Sequence, residues 1–461
     1  MEFEKNYGFT ETEKILADFC DKTFSNMWSF ANPFNSHKKE FCDVITIFEN
    51  HMFIFFDRNK TLNFDSESNF ETKWNRWVRD VIDAQINTCI GAERYIKNGG
   101  KLFFDNRMEI ELPLKYDLEE LVIHKIIVAH GAKDACLQFS SDNMTGSLAI
   151  RYGGLSMGNI PPFFISLSNE TLIHIFDSAN LSIILSELDT FRDFSNYIIE
   201  KERAIKKHLF IIYCGEEDLL AHYLMNFNQE NKKHFIGQEN CNSLVLNQGI
   251  WNSFVQSPAY KVQKESNRVS YFWDELIKEI GVNALKGKLN GNGNVFTGNS
   301  GIYEMAKEPR FIRRMLSEKM IEAIQKFPEN DIPVGRFLRI LSSYLPEVKY
   351  VFLQYKIDFR EKNQSIQEIN QMRQYFLNIA CAATKLKFPE LTKVIGIGMA
   401  PLKFCPKTTK DILLMDCTNW TSEMVEYYTE ENKFEWNRFL LLENIEYQES
   451  HVKEFPESKL K

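Results

Sequence analysis

"KKEFCDVITIFENHMFIFFDRNK", residues 38–60, is the stretch on which the fold turns. It reads as two apolar strands joined by a short polar turn. Asp43 stands at the start of the first strand and Asp57 near the end of the second. A charged carboxylate on an apolar strand is costly unless it is solvated, paired or holding a metal. The pair therefore marks either a metal site or an ordinary strand end.

The flanking sequence extends this hairpin into an α/β unit. Residues 10–31 open with Thr10 and Glu13, the spacing of a capping box, and Ile15, Leu16, Phe19, Phe24 and Trp28 keep a helical beat. After the hairpin, Trp74, Trp77, Val78, Val81, Ile82, Ile86, Ile90 and Tyr95 form a long amphipathic stripe that Gly99-Gly100 stops. "LVIHKIIVAHG", residues 121–131, reads as the next strand. Helix, strand, strand, long helix, strand is the order of a helix packed across a small mixed sheet. Farther on, 163–176 gives two strands around a turn. Residues 181–207 read as helix with one interruption, and 209–224 as strand, glycine turn and helix. A boundary near 208 divides an α/β domain, 1–208, from a helix-rich α+β domain, 209–461. Strands return in the latter at 350–355, 393–400 and 411–416. The polar tail is expected to fray.

Composition narrows the function classes. A chain of 461 residues, 44% hydrophobic and 26% charged, is globular and long enough for two or three domains. Its net charge of −8 argues against a whole-surface grip on nucleic acid while leaving room for a local basic groove. Nine cysteines without a C-x-x-C pair fit neither a disulfide framework nor a zinc knuckle. The N-terminus lacks the pattern of a signal peptide and no stretch reaches the roughly 18 apolar residues of a membrane span. The expectation is a soluble, cytoplasmic protein.

Two carboxylates on neighbouring strands, followed closely by a lysine, suit Mg²⁺ and a phosphodiester, because Mg²⁺ takes hard oxygen ligands and the ammonium supports the attacking water. Asp43, Asp57 and Lys60 in this arrangement resemble the active site of the PD-(D/E)XK, or restriction-endonuclease-like, nucleases. Glu40 precedes Asp43 as in the E-x-x-D variants of that motif, and Gln85 lies on the following helix, where some branches carry a glutamine. The resemblance covers about residues 10–130. It implies a restriction-endonuclease-like N-terminal domain and a metal-dependent nuclease acting on DNA or RNA. Asp43 and Asp57 would be Mg²⁺ ligands, Glu40 a further ligand or base, Lys60 the cation, and Gln85 would orient water or phosphate. The sequence departs from the motif at one point. Asn59 occupies the lysine position, and Lys60 comes one residue late, on the other face unless the strand bulges or ends. An inactive nuclease-like fold that binds nucleic acid or protein is therefore the alternative. A nuclease-like module beside a large accessory domain is also the layout of many microbial antiviral defence proteins, and a protein partner or second copy fits it.

Other features carry weaker signals. Arg310, Arg313 and Arg314 gather on one side of a helix, as a phosphate-binding face or as a solvated face paired with Glu304, Glu308 and Glu318. The Gly/Asn-rich loop at 286–301 has no Walker A spacing, and "GIGMAP" lacks the third glycine of a dinucleotide fingerprint. His124 and His130, six apart on a regular strand, cannot share a metal. Glu216, Glu217 and Asp218 suit the start of a helix.

Overall fold

The computed structural model describes residues 7–25, 27–64, 69–114, 116–140, 144–154, 160–228, 230, 233–285, 300–327, 334–357, 366–401, 410–434 and 453–455. The chain forms two units, Met1–Tyr260 and Lys261–Lys461. Residues 286–299 of the Gly/Asn-rich loop and most of the C-terminal tail lie outside the described residues.

In the first unit, α1 (Glu11–Phe24) begins with the expected capping box, Thr10 Oγ1 accepting from Glu13 N–H. β1 (Ser29–Ala31), β2 (Val44–Phe48) and β3 (His51–Asn59) follow as an antiparallel set. The hairpin register pairs Val44 with Phe55 and Phe48 with His51. Helix α2 (Phe70–Val78) runs through a π-helical turn, Arg79–Asp83, into α3 (Ala84–Lys97). β4 (Val122–His130) then lies parallel to β3, with Asp57 beside Val128 and Asn59 beside His130. A helical crossover is what a parallel neighbour requires.

The next strands separate. β5 (Ala149–Gly153) pairs with β6 (Phe164–Leu167) in a second sheet, whereas β7 (Ile173–Asp177) joins the first sheet beside β4, His174 next to Ile126. The first sheet thus runs β1-β2-β3-β4-β7. After α4 (Leu181–Glu187) and α5 (Phe191–Lys207), β8 (Phe210–Tyr213) pairs antiparallel with β5. Helix α6 (Glu216–Met225) and strand β9 (Ser243–Val245) follow. The expected boundary near 208 is corrected by this pairing. β8 and β9 extend a sheet begun at Ala149, so the first unit continues to Tyr260.

β2 and β3 are apolar without alternation because both faces of the sheet are covered. On the odd-numbered face of β3, Phe53 and Phe55 meet Phe24 of α1, at 5.8 and 6.3 Å between ring centroids. Phe194 of α5 closes the cluster 5.1 Å from Phe24. Truncating Phe24 to alanine would cost about 3–5 kcal/mol. The even-numbered face lies under α3, where Arg58 meets Gln85.

The second unit contains α7 (Tyr271–Leu285), α8 (Arg310–Gln325) and a four-stranded sheet. β10 (Val334–Ser342) and β11 (Val348–Ile357) form a hairpin. Helix α9 (Ile366–Lys387) leads to β12 (Lys393–Met399), parallel to β11, and β13 (Asp411–Asp416) returns antiparallel. The glycines of "GIGMAP" serve packing: a Cβ on Gly396 would come within 2.8 Å of Cys381 Sγ and Leu377 Cγ on α9. Mixed α/β architecture holds in both units.

Candidate metal centre

Asp43 is placed by an irregularity at the start of β2. Its N–H donates to Phe55 O (3.1 Å), although Val44 is already opposite Phe55, two residues against one as in a β-bulge. Asp43 Oδ2 accepts from the N–H of Asp57 (2.7 Å), so the two expected acids are joined through one backbone amide. Asp57 is on the α1 face. Its Oδ1 accepts from Thr12 Oγ1 (2.8 Å) and its Oδ2 lies 2.9 Å from His130 Nε2. His130 Nδ1 is 3.0 Å from Ser178 Oγ. A carboxylate at Asp57 requires the ring proton on Nε2, which leaves Nδ1 to accept from the serine hydroxyl.

Around Asp43 the negative charge is concentrated. Glu13, Glu40 and Asp43 bring carboxylate oxygens within 4.8 Å of one another. Asn32, fully buried, donates from Nδ2 to Glu13 Oε2 (3.0 Å) and Glu40 Oε1 (2.7 Å), and its N–H donates to Asp43 O (2.8 Å). Among the described residues its own Oδ1 has no partner. Burial, with the charges of Glu13, Glu40 and Asp57, pushes the Asp43 carboxyl up to about 7, against the amide hydrogen bond from Asp57. Burial also acts on Glu13, but hydrogen bonds from Phe9, Asn32 and Thr10 outweigh it and hold its carboxyl below the usual range.

Lys60 and Gln85 do not join this group. Pairing of β3 with β4 is regular through Asn59, so alternation carries Lys60 to the α3 face. There its ammonium pairs with Asp80 of the π-helical turn, which also accepts from Arg79 Nε (2.9 Å). Trp77 Nε1 fixes the Lys60 carbonyl (2.8 Å), and Gly131, at φ +94°, lies where a Cβ would be 2.2 Å from that same oxygen. With its amide oxygen turned toward the guanidinium, Gln85 accepts from Arg58 Nε (2.5 Å) and Nη2 (3.2 Å). The expected set is corrected accordingly: Glu40, Asp43 and Asp57 gather on one side, Lys60 and Gln85 on the other. Glu13, Asn32, Thr12 and His130 are the members that sequence reasoning missed. Glu13 had a sufficient role as a capping residue, and His130 had been weighed only against His124.

The expected phosphate-binding face of Arg310, Arg313 and Arg314 is also corrected. All three are buried on α8. Arg310 and Arg313 both pair with Asp274 of α7, and Arg313 also donates to Glu308 O and Ala306 O (both 2.8 Å). Arg314 donates to Asn267 Oδ1 (3.1 Å) and Lys453 O (2.8 Å). These guanidiniums tie helices together.

Elsewhere in the first unit, His124 and His130 enter separate networks. His124 Nδ1 lies 2.8 Å from Glu202 Oε1 on α5, and His174 Nε2 lies 3.1 Å from the same oxygen. His51 Nδ1 reaches His124 Nε2 at 2.9 Å. Burial, aided by neighbouring His124, lowers the His51 ring to about 4. The acids stand at the start of α6, as expected, and are also buried cross-links. Glu216 binds Lys201, Tyr197 and Tyr213; Glu217 binds Thr145 and Ser147; Asp218 receives the N–H groups of Gly249 and Trp251.

Comparison of the chain with protein-family models, curated proteins and solved structures returns no match. Among the described residues, no helix is long and apolar enough to cross a membrane.

Proposed function

We propose that the first unit is a restriction-endonuclease-like domain and that the protein is a Mg²⁺-dependent phosphodiesterase acting on DNA or RNA. Support for the fold is the sequence of elements: α1, three antiparallel strands, the α2–α3 crossover, and a fourth strand parallel to the third. The observation that carries the activity is the convergence of Glu13, Glu40 and Asp43 around buried Asn32.

The donor chemistry fits the ion. Carboxylates are hard oxygen ligands, as Mg²⁺ requires, and three of them converge here. Asp43, Glu40 and Glu13 would hold the cation, with Asp57 completing the site from β3. When bound, Mg²⁺ would polarise a phosphoryl oxygen and lower the pKa of a coordinated water. The protein's part is positional. Thr12 and His130 lock the Asp57 carboxylate, and the Asp57 amide orients Asp43. Lys60, Gln85 and the α8 arginines have no role in this reading. A cytoplasmic defence function is the setting that fits it.

The second reading is a nuclease-like scaffold for nucleic acid, a protein partner or a second copy of the chain. Asn59 in the lysine position and the engagement of Lys60 by Asp80 favour it. Assays of the full chain on single- and double-stranded DNA and RNA, with Mg²⁺ or Mn²⁺, separate the two. Cleavage that disappears in both Asp43→Asn and Asp57→Ala supports the phosphodiesterase. Binding without cleavage in every metal condition supports the scaffold.

A further inference from the structure

A second group of ligating side chains lies on the same sheet face, nearer the N-terminal end of β4. His124 on β4 and His174 on β7 are diagonal neighbours, because the parallel register sets His174 beside Ile126. Glu202 of α5 lies over them. His124 Nδ1 and His174 Nε2 both point at Glu202 Oε1, 2.8 and 3.1 Å away, and ligand atoms of the three residues lie within 4.8 Å of one another. Both imidazoles are fully buried. Among the described residues His174 Nδ1 has no partner.

We propose that His124, His174 and Glu202 form a site for a divalent transition-metal cation of the Zn²⁺ class, separate from the acidic centre and independent of its activity. Two imidazoles and one carboxylate suit Zn²⁺, Co²⁺ or Fe²⁺, whereas the all-oxygen set around Asp43 suits Mg²⁺. A tetrahedral Zn²⁺ with bonds of about 2.0–2.1 Å needs its ligand atoms about 3.3 Å apart. The 2.8 and 3.1 Å separations need to open by only a few tenths of an ångström.

Outer contacts of the kind such sites use are already in place. His51 Nδ1 holds the second nitrogen of His124 at 2.9 Å, and the Phe53 ring stacks on His124 with centroids 4.5 Å apart. A partner on the second ring nitrogen fixes both tautomer and orientation of a ligating histidine. Entry is available too. Glu202 lines an open cavity of about 450 Å³ at the N-terminal ends of β4 and β7, together with Glu93, Lys125, Leu172 and Lys206. Solvent from that cavity would supply the remaining coordination position.

The test uses the full chain, freed of metal by a chelator and titrated with Co²⁺ alone and Zn²⁺ alone. The expected result is one tightly held ion per chain, with the intense visible absorption of a four- or five-coordinate Co²⁺ site that one equivalent of Zn²⁺ bleaches. Excess Mg²⁺ should leave that spectrum unchanged. His51→Ala should weaken Zn²⁺ binding about 10–100-fold while leaving the three ligands intact. His174→Ala and Glu202→Gln should abolish the spectrum. Failure of the unsubstituted protein to bind Co²⁺ or Zn²⁺ would reduce the cluster to a hydrogen-bond network and overturn the proposal, whatever the fold of the variants. A Co²⁺ spectrum retained in folded His174→Ala, or lost on Asp43→Asn, would place the ion elsewhere with the same consequence. Neither result touches Mg²⁺-dependent cleavage, which is read separately.

Discussion

The acidic group at the start of β2 and the arginine group on α8 are both dense in charge, and both looked functional in the sequence. Their balance separates them. Around Asp43, three carboxylates converge on the amide of Asn32, and among the described residues none of the three has an ion-pair partner. On α8, Asp274 pairs with Arg310 and Arg313, and Arg314 donates to Asn267 and a backbone carbonyl, so each guanidinium is engaged within the fold. Burial pushes the Asp274 carboxyl up, yet Arg313 and Arg310 bring it below its usual value, whereas Asp43 stays well above. Uncompensated charge can recruit a ligand. Compensated charge holds the fold.

The largest effect expected from this contrast falls on the arginines. Arg313→Ala would leave Asp274 with one cation and two backbone carbonyls without donors. Breaking a buried pair by removing one partner costs about 3–5 kcal/mol. Urea denaturation of the full chain should register that loss. Where the variant remains folded, its nucleic-acid affinity and the salt dependence of that affinity should match the wild type. Wild-type stability combined with a flattened salt slope would return the helix to a phosphate-binding role and erase the contrast.

Asp43 should behave in the opposite sense. Its folded-state pKa, about 7, lies above its ordinary 3.8, so the folded protein binds this proton more tightly than the unfolded chain does. The associated stability is fully present below pH 4 and is lost as pH rises through 7. Without metal, Asp43→Asn should therefore be more stable than wild type at pH 8, on the order of 4 kcal/mol from the size of the shift. Asn Oδ1 can still accept the Asp57 amide. Equal stability at pH 8 would mean that the carboxylates are well solvated and carry no surplus. The same substitution should abolish Mg²⁺-dependent cleavage, so the variant gains stability as it loses activity.

A smaller effect follows from proton and cation competing for one carboxylate. Mg²⁺ should raise the thermal midpoint of the wild type at pH 8 and do so less at pH 6. Below about pH 7, binding that displaces one proton weakens up to tenfold per pH unit. Calorimetric titration with Mg²⁺ at both pH values checks the slope. Affinity independent of pH would detach the cation from Asp43.

Much of the first unit could be read from pattern. The capping box, the hairpin, the long helix and the parallel strand each left a local signal: the Thr10–Glu13 spacing, the apolar run around Asp57, the Trp74–Tyr95 stripe and the run 121–131. The site was legible only in part, because its remaining members depend on distance in space. Glu13 and Asn32 reach Glu40 from α1 and from the loop after β1, and His130 reaches Asp57 through strand register. No sequence spacing encodes these meetings. The arginines were misread because i, i+3, i+4 spacing defines a helix face without revealing what covers it. The boundary was misplaced for a similar reason: β8 pairs with β5 across about sixty residues, and strand pairing at that range has no local signature.

The smallest effect is expected at Lys60, and it bears most directly on the nuclease resemblance. In the resembled active site a lysine would sit beside the metal, and losing a preorganised charge commonly costs ~10²–10³ in rate. Here the ammonium pairs with Asp80 on the opposite face, with a side chain about two-fifths exposed. Exposed pairs of this kind contribute little to stability because solvent screens them. Lys60→Ala should therefore leave both the denaturation midpoint and the Mg²⁺-dependent rate unchanged within error. His130→Ala, which frees one Asp57 oxygen, should lower the rate more than Lys60→Ala does. Measuring both variants under single-turnover conditions keeps substrate binding out of the comparison. A large drop in Lys60→Ala alone would require the strand end to turn over on substrate binding, carrying the lysine to the Asp57 face. Asp80→Ala, which releases Lys60 without removing it, would then be the activating substitution.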